Sequence, residues 1–178
     1  EGELAGEKGS TTRLGMRVPL IASWPGKIAA GKVTADLVDL TDFLPTLCDA
    51  AGVAIPGRLT IDGRSFLPQL RGERGHPREW IYSYWVPLRE NQTAQVGARG
   101  AVEQAFDHRY KLYSTGAFFD LQTDPEEKRP LKVADLKGES LTAATKLQAA
   151  LDQFKDARPA HLPAPPKPGE KRKAGNAN

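Results

Sequence analysis

Val18-Pro19-Leu20-Ile21-Ala22-Ser23-Trp24, closed by Pro25-Gly26, is a continuous apolar run without alternation. Such a run suits a strand covered on both faces, as in a helix-flanked parallel sheet. Pro19 cannot donate to a ladder, so it belongs at the strand's start. A single buried parallel strand cannot stand alone, because its neighbours must come from other chain. The run therefore predicts the last strand of a mixed, helix-flanked α/β sheet whose remaining strands lie elsewhere.

Downstream, Thr41 or Asp42 can cap a helix with Pro45 in its first turn, where a missing N–H costs little. Phe43, Leu44, Leu47, Cys48 and Ala51 then share one face, and Gly52 is placed to end the helix. Cys48 on that face reads as a small core residue. Asp36, Asp39 and Asp42 are spaced by three, and Asp42 serves best as a cap or first-turn charge. Residues 53–75 form an irregular connection with turn signals at Pro56-Gly57 and Asp62-Gly63, interrupted by the apolar Phe66-Leu67-Pro68-Gln69-Leu70.

From Trp80 the vocabulary changes. Trp80-Ile81-Tyr82-Ser83-Tyr84-Trp85-Val86 is aromatic and β-branched. Residues 97–103 predict a further strand. Tyr110-Lys111-Leu112-Tyr113 and Ala117-Phe118-Phe119-Asp120-Leu121 flank Ser114-Thr115-Gly116 as a hairpin. Asp124-Pro125-Glu126-Glu127 is a turn. Leu141, Ala144, Leu147, Leu151 and Phe154 then mark a helix over roughly residues 139–155. The expected organisation is residues 1–75 as the end of an α/β domain, 76–156 as a small antiparallel α+β subdomain with a terminal helix, and 157–178 as a tail.

That tail holds five of the fourteen prolines, with five Lys/Arg against one Glu. Residues 1–156 then carry 20 Lys/Arg against 21 Asp/Glu, so the basic balance belongs to the tail alone. Its composition predicts disorder. No aromatic side chain is interleaved with Lys171-Arg172-Lys173 to stack on bases, so the tail reads as a solvated terminus and not as a nucleic-acid contact. One cysteine permits no intrachain disulfide and no Cys-based metal cluster. No apolar run approaches the roughly 18 residues of a membrane span. The chain opens at Glu1 and its one methionine is Met16, a start set by processing or by truncation.

Five motifs stand in a fixed order. Lys8-Gly9-Ser10-Thr11-Thr12-Arg13-Leu14-Gly15-Met16-Arg17-Val18-Pro19 is followed by Trp24-Pro25-Gly26-Lys27-Ile28. Then come Asp42-Phe43-Leu44-Pro45-Thr46-Leu47 with Ala51-Gly52-Val53, and Asp62-Gly63-Arg64-Ser65-Phe66-Leu67-Pro68. Tyr110-Lys111-Leu112-Tyr113 and Phe119-Asp120-Leu121-Gln122-Thr123-Asp124-Pro125-Glu126-Glu127 close the series. Together, over about residues 8–131, they resemble the C-terminal portion of type I sulfatases of the alkaline-phosphatase-like superfamily. Arg13 stands where that family usually has Glu, and Leu14 where it has the first of two Gly.

The resemblance implies a sulfuric ester hydrolase. Its formylglycine, made from a cysteine in a C-x-P-S-R motif, attacks the sulfur, and a divalent cation, usually calcium, polarises the sulfate. Cys48 is not in that motif and no Asp/Asn cluster here resembles the metal site, so the chain alone is expected to be inactive, with both pieces upstream of Lys8. The implied partners are a sulfated small molecule or carbohydrate and the missing N-terminal catalytic region. Export from the cytoplasm is also implied. The one site residue that the resemblance assigns is Lys8, matching a lysine that contacts sulfate and formylglycine. A fixed ammonium there would favour the charge that gathers on sulfate oxygens, and Gly9 beside it lets backbone approach an anion closely. Arg17 reads as a structural ion-pair partner. His76, His108 and His161 read as loop or surface residues. Two other readings stay open: a phosphodiesterase or phosphonate hydrolase on the same scaffold, and a non-catalytic binding module in which Lys8 is incidental.

Overall fold

The computed structural model describes residues 9–86 and 101–157. The expected disordered tail from Arg158 onward, the N-terminal part of the predicted 97–103 strand, His161 and Lys8 all lie outside them. The described chain divides into two compact units. One runs over Pro19–Ile81; the other joins the described residues up to Val18 with those from Tyr82 onward.

In the first unit a 3₁₀ turn over Leu40–Asp42 leads into helix α2, Phe43–Ala51 (α1 is the single turn Arg13–Met16 of the other unit). The helix stops at Gly52, whose φ of 66° is the left-handed conformation that glycine enters without Cβ strain. Asp39 and Asp42 form a capping box across the 3₁₀ turn: Asp39 Oδ1 accepts from Thr41 N at 2.9 Å and Asp42 Oδ2 from Asp39 N at 2.9 Å. Asp42 is thus used as the spacing predicts, but it does more. It is 1 % exposed and accepts from Arg64 N at 2.8 Å and from the Arg78 guanidinium at 2.7 and 2.5 Å. Arg78 also donates to the Asp62 carbonyl at 3.1 Å, so one carboxylate and one guanidinium tie α2 to the Asp62-Gly63-Arg64 segment. Gly63 is required there, since a Cβ on it would stand 1.9 Å from the Thr41 carbonyl oxygen. Thr46 Oγ1 donates to Asp42 O and accepts from Phe66 N, which brings in the short helix α3, Leu67–Leu70.

Two expectations change here. Residues 18–24 form no strand, and Ile21 is 91 % exposed. A strand needs neighbours to complete its ladder, and no described strand lies beside this run. The apolar stripe of α2 also faces outward. Leu44 and Leu47 are exposed and Cys48 is half-buried, while Pro45 and Thr46 are the buried positions. The helix is where the periodicity puts it, but the surface that would cover its stripe is not among the described residues.

The second unit is a four-stranded sheet in the order β1-β2-β3-β4, with β1 at Ile81–Trp85, β2 at Val102–Phe106, β3 at Tyr110–Tyr113 and β4 at Phe118–Asp120. The third and fourth strands make the expected antiparallel hairpin, Leu112 opposite Phe118, with Gly116 in the loop at φ 86°. The described end of the predicted 97–103 strand falls in β2, which runs on to Phe106 through the buried Glu103 and Gln104. Helix α4, Gly138–Gln153, packs against β2 and β3 and buries Ala143, Leu147, Ala150 and Leu151. Arg109 joins the hairpin to this helix, with Nη2 donating to Asp120 at 2.9 Å and Nη1 to Glu139 at 2.7 Å. Phe154 at the helix end stacks on Tyr82, ring centroids 4.2 Å apart.

Candidate active-site segment

Alternation along β3 sends Tyr110 and Leu112 to one face of the sheet and Lys111 and Tyr113 to the other. Register places Phe106 and Phe119 on the same face as Lys111, and Gln104 on the same face as Tyr113. Residues 9–16 meet this second face, so the segment that follows Lys8 in sequence is held by the antiparallel sheet.

The grip centres on two buried charges. The Lys111 side chain is 1 % exposed and that of Glu127 3 %, with Nζ donating to Oε1 at 2.9 Å. Lys111 also donates to the Thr11 carbonyl. Glu127 Oε1 accepts from the Arg13 amide at 2.7 Å, and Oε2 accepts from the Tyr113 hydroxyl at 2.5 Å. Burial pushes the Lys111 ammonium below its ordinary pKa, opposed by the hydrogen bond and charge of Glu127. Such a pair is tolerable only because both partners are otherwise satisfied. Glu127 adopts φ 55° at the end of the Asp124-Pro125-Glu126 turn, a left-handed conformation that side chains other than glycine rarely enter.

The rest of the segment is fastened as well. Ser10 and Thr12 close a local turn, Thr12 N donating to Ser10 Oγ at 3.1 Å and Ser10 Oγ to Thr12 Oγ1 at 2.9 Å. Helix α1 follows, with Arg13 Nη1 donating to Leu121 O at 3.2 Å. Arg13, where the family pattern usually has Glu, therefore joins the sheet through both its amide and its guanidinium. Beside the segment lies a cleft of about 270 Å³ lined by Thr11, Thr12, Glu103, Tyr113, Ser114 and Glu127, among others.

Other sequence expectations fare unevenly. Arg17 is exposed, and no ion pair to it is found among the described residues. His76 and His108 are exposed. Cys48 stands in Leu47-Cys48-Asp49 on α2, and among the described residues no group of three His, Cys, Asp or Glu side chains gathers to hold a metal. The described residues thus do not fit a formylglycine or a cation. Lys111, Tyr113 and Glu127 were not expected at the site; the signal available was a lysine centred in an aromatic strand followed by an acid two residues after Asp-Pro.

Residues 10–156 match the family model described as N-sulphoglucosamine sulphohydrolase, C-terminal. The chain is 30 % identical to mouse (Mus musculus) steryl-sulfatase over 153 residues, covering 73 % of this chain and 24 % of that protein. It is 31 % identical to bovine (Bos taurus) arylsulfatase A over 167 residues, covering 83 % and 32 %. A solved 2-O GAG sulfatase superposes with a TM-score of 0.47 at 29 % identity, covering 69 % of this chain and 27 % of that one. The chain spans a quarter to a third of the length of these curated relatives. With the family model matched over most of its length, the chain belongs to the sulfatase family and corresponds to its C-terminal region.

Proposed function

We propose that the complete protein hydrolyses sulfate monoesters of a small molecule or carbohydrate, with Lys8 as the residue of this chain that touches the sulfate. The observation that carries the reading is the match over residues 10–156 beginning two residues after Lys8. Negative charge on the sulfate oxygens grows as the S–O bond breaks, and a fixed ammonium beside them favours that charge. Formylglycine and a cation, usually calcium in this family, would supply the nucleophile and the polarisation from the rest of the protein. The remaining catalytic region is the proposed partner of α2 and of residues 18–24, whose exposed Leu44, Leu47 and Ile21 are apolar surface of the kind that seats against protein. Export is proposed on the family resemblance. Turnover by the complete protein of an aryl sulfate, compared with an aryl phosphonate monoester and a phosphodiester, tests the activity. Sulfate is expected to be the best of the three; a preferred phosphonate or diester overturns it.

A further inference from the structure

The sheet-bearing unit takes its chain from both sides of the other one: residues up to Val18 and from Tyr82 onward, with Pro19–Ile81 between them. A break between α2 and α3 would therefore leave each unit made of an upstream and a downstream piece. Contacts cross that break in both units. In the first, Asp42 accepts from Arg78 at 2.7 and 2.5 Å and from Arg64 N at 2.8 Å. Thr46 Oγ1 accepts from Phe66 N at 3.1 Å, and Asp49 accepts from Ser65 Oγ at 2.6 Å. In the second, Lys111 donates to Thr11 O, Glu127 accepts from Arg13 N at 2.7 Å, and Arg13 Nη1 donates to Leu121 O at 3.2 Å.

The run between the two helices is open to such a break. Residues 53–62 hold no helix or strand, and all but Ile55 are exposed. Exposed irregular loops of this kind are where proteases nick folded chains. Arg58 sits in its turn, which Leu59 N closes by donating to Pro56 O at 2.9 Å. Neighbouring arginines are tied more firmly. Arg17 N closes a helical turn on Arg13 O, Arg71 N is bonded into the end of α3, and Arg64 N is held by Asp42. Arg74 precedes Gly75, where even a Cβ would stand 2.6 Å from Gln69 Oε1, and Arg78 is buried.

We infer that the Arg58–Leu59 peptide bond is a processing site for a trypsin-like protease, and that the cut protein persists as one non-covalent particle of two chains. Hydrolysis adds one water across the bond, leaving a carboxylate on Arg58 and an ammonium on Leu59. Both residues are exposed, so neither new charge is taken out of water. Residues 59–178 contain no cysteine, so no disulfide from them joins the pieces, and the contacts that cross the break in both units must do so.

Brief incubation of the complete protein with an arginine-specific protease, followed by sequencing of the fragments, tests this. Within residues 9–86 and 101–157 the first new N-terminus is expected to be Leu59-Thr60-Ile61, and Arg58→Gln is expected to lose that fragment. In native buffer the two pieces should elute together at the volume of the uncut protein and separate only in denaturant. Because reassembly of the cut protein joins two molecules, its melting temperature should rise with protein concentration, while that of the uncut protein should not. A first cut after Arg17, Arg64 or Arg74 would overturn the site, as would the same fragments from Arg58→Gln or a loop that stays whole on long incubation. Release of the piece beginning at Leu59 in native buffer, or a melting temperature of the cut protein that ignores concentration, would overturn the two-chain particle.

Discussion

Replacing Arg78 with Met should expose how the first unit is held together. Arg78 is 8 % exposed, and its guanidinium meets both oxygens of Asp42, at 2.7 and 2.5 Å. Met fills much of the volume but leaves the carboxylate buried with only the Asp39 and Arg64 amides, at 2.9 and 2.8 Å. Breaking a buried pair from one side costs about 3–5 kcal/mol, and the two surviving amide donors keep the loss near the lower bound. For a cooperative unit the size of Pro19–Ile81, about 3 kcal/mol lowers the melting temperature by roughly 12–24 °C. The pH dependence supplies an independent check. Burial pushes the Asp42 carboxyl up, but the Arg78 hydrogen bond and the two amides outweigh it and hold the group below the usual carboxylate range. Its contribution is therefore present above pH about 4 and lost as pH falls through the lower folded value. In the variant burial prevails, the folded pKa rises above the unfolded one, and acid relieves the penalty. Melting temperatures of the two proteins should converge below about pH 4. A loss under about 2 °C at neutral pH, or a gap of the same size at about pH 7 and pH 3, would refute the assigned role.

Gly63→Ala should be at least as damaging, about 3 kcal/mol, because the added methyl carbon meets the Thr41 backbone oxygen, which cannot swing aside as a side chain could; a melting temperature within a degree of wild type would contradict it. Leu47→Asp tests the proposed seating of α2. Leu47 is 64 % exposed here, where such a change is ordinarily worth within about half a kcal/mol. In the complete protein it should lower the melting temperature by several degrees, and an unchanged value would leave the α2 stripe a solvent surface.

Much of the architecture was legible because the signals were local. The Tyr110–Asp120 hairpin, the stop at Gly52 and the helix that becomes Gly138–Gln153 each follow from turn chemistry or a period within one element. What failed depended on distant chain. Leu44 and Leu47 make an amphipathic stripe whatever covers it, so periodicity located the helix but could not say that the stripe is exposed here. The run at 18–24 has a strand's composition, yet composition carries no hydrogen-bond partner. At the site the same limit applies. Lys111 finds its carboxylate 16 residues on and its carbonyl 100 residues back, so nothing adjacent to it betrays burial. Arg78 and Asp42 are likewise 36 residues apart. The family pattern pointed to Lys8 but not to the residues fastening the segment after it.

Turnover and melting temperature of Lys8→Ala, measured on one preparation of the complete protein with an aryl sulfate, test the central claim most directly. If the ammonium meets charge that grows toward the transition state, turnover falls roughly 100-fold or more, while stability stays within about half a kcal/mol as for ordinary surface changes. Lys8→Arg should rescue poorly, since a planar fork does not reproduce a compact point charge. Wild-type turnover, or a lowered melting temperature with a near-normal rate for the folded molecules, would contradict the assignment of Lys8 to the sulfate.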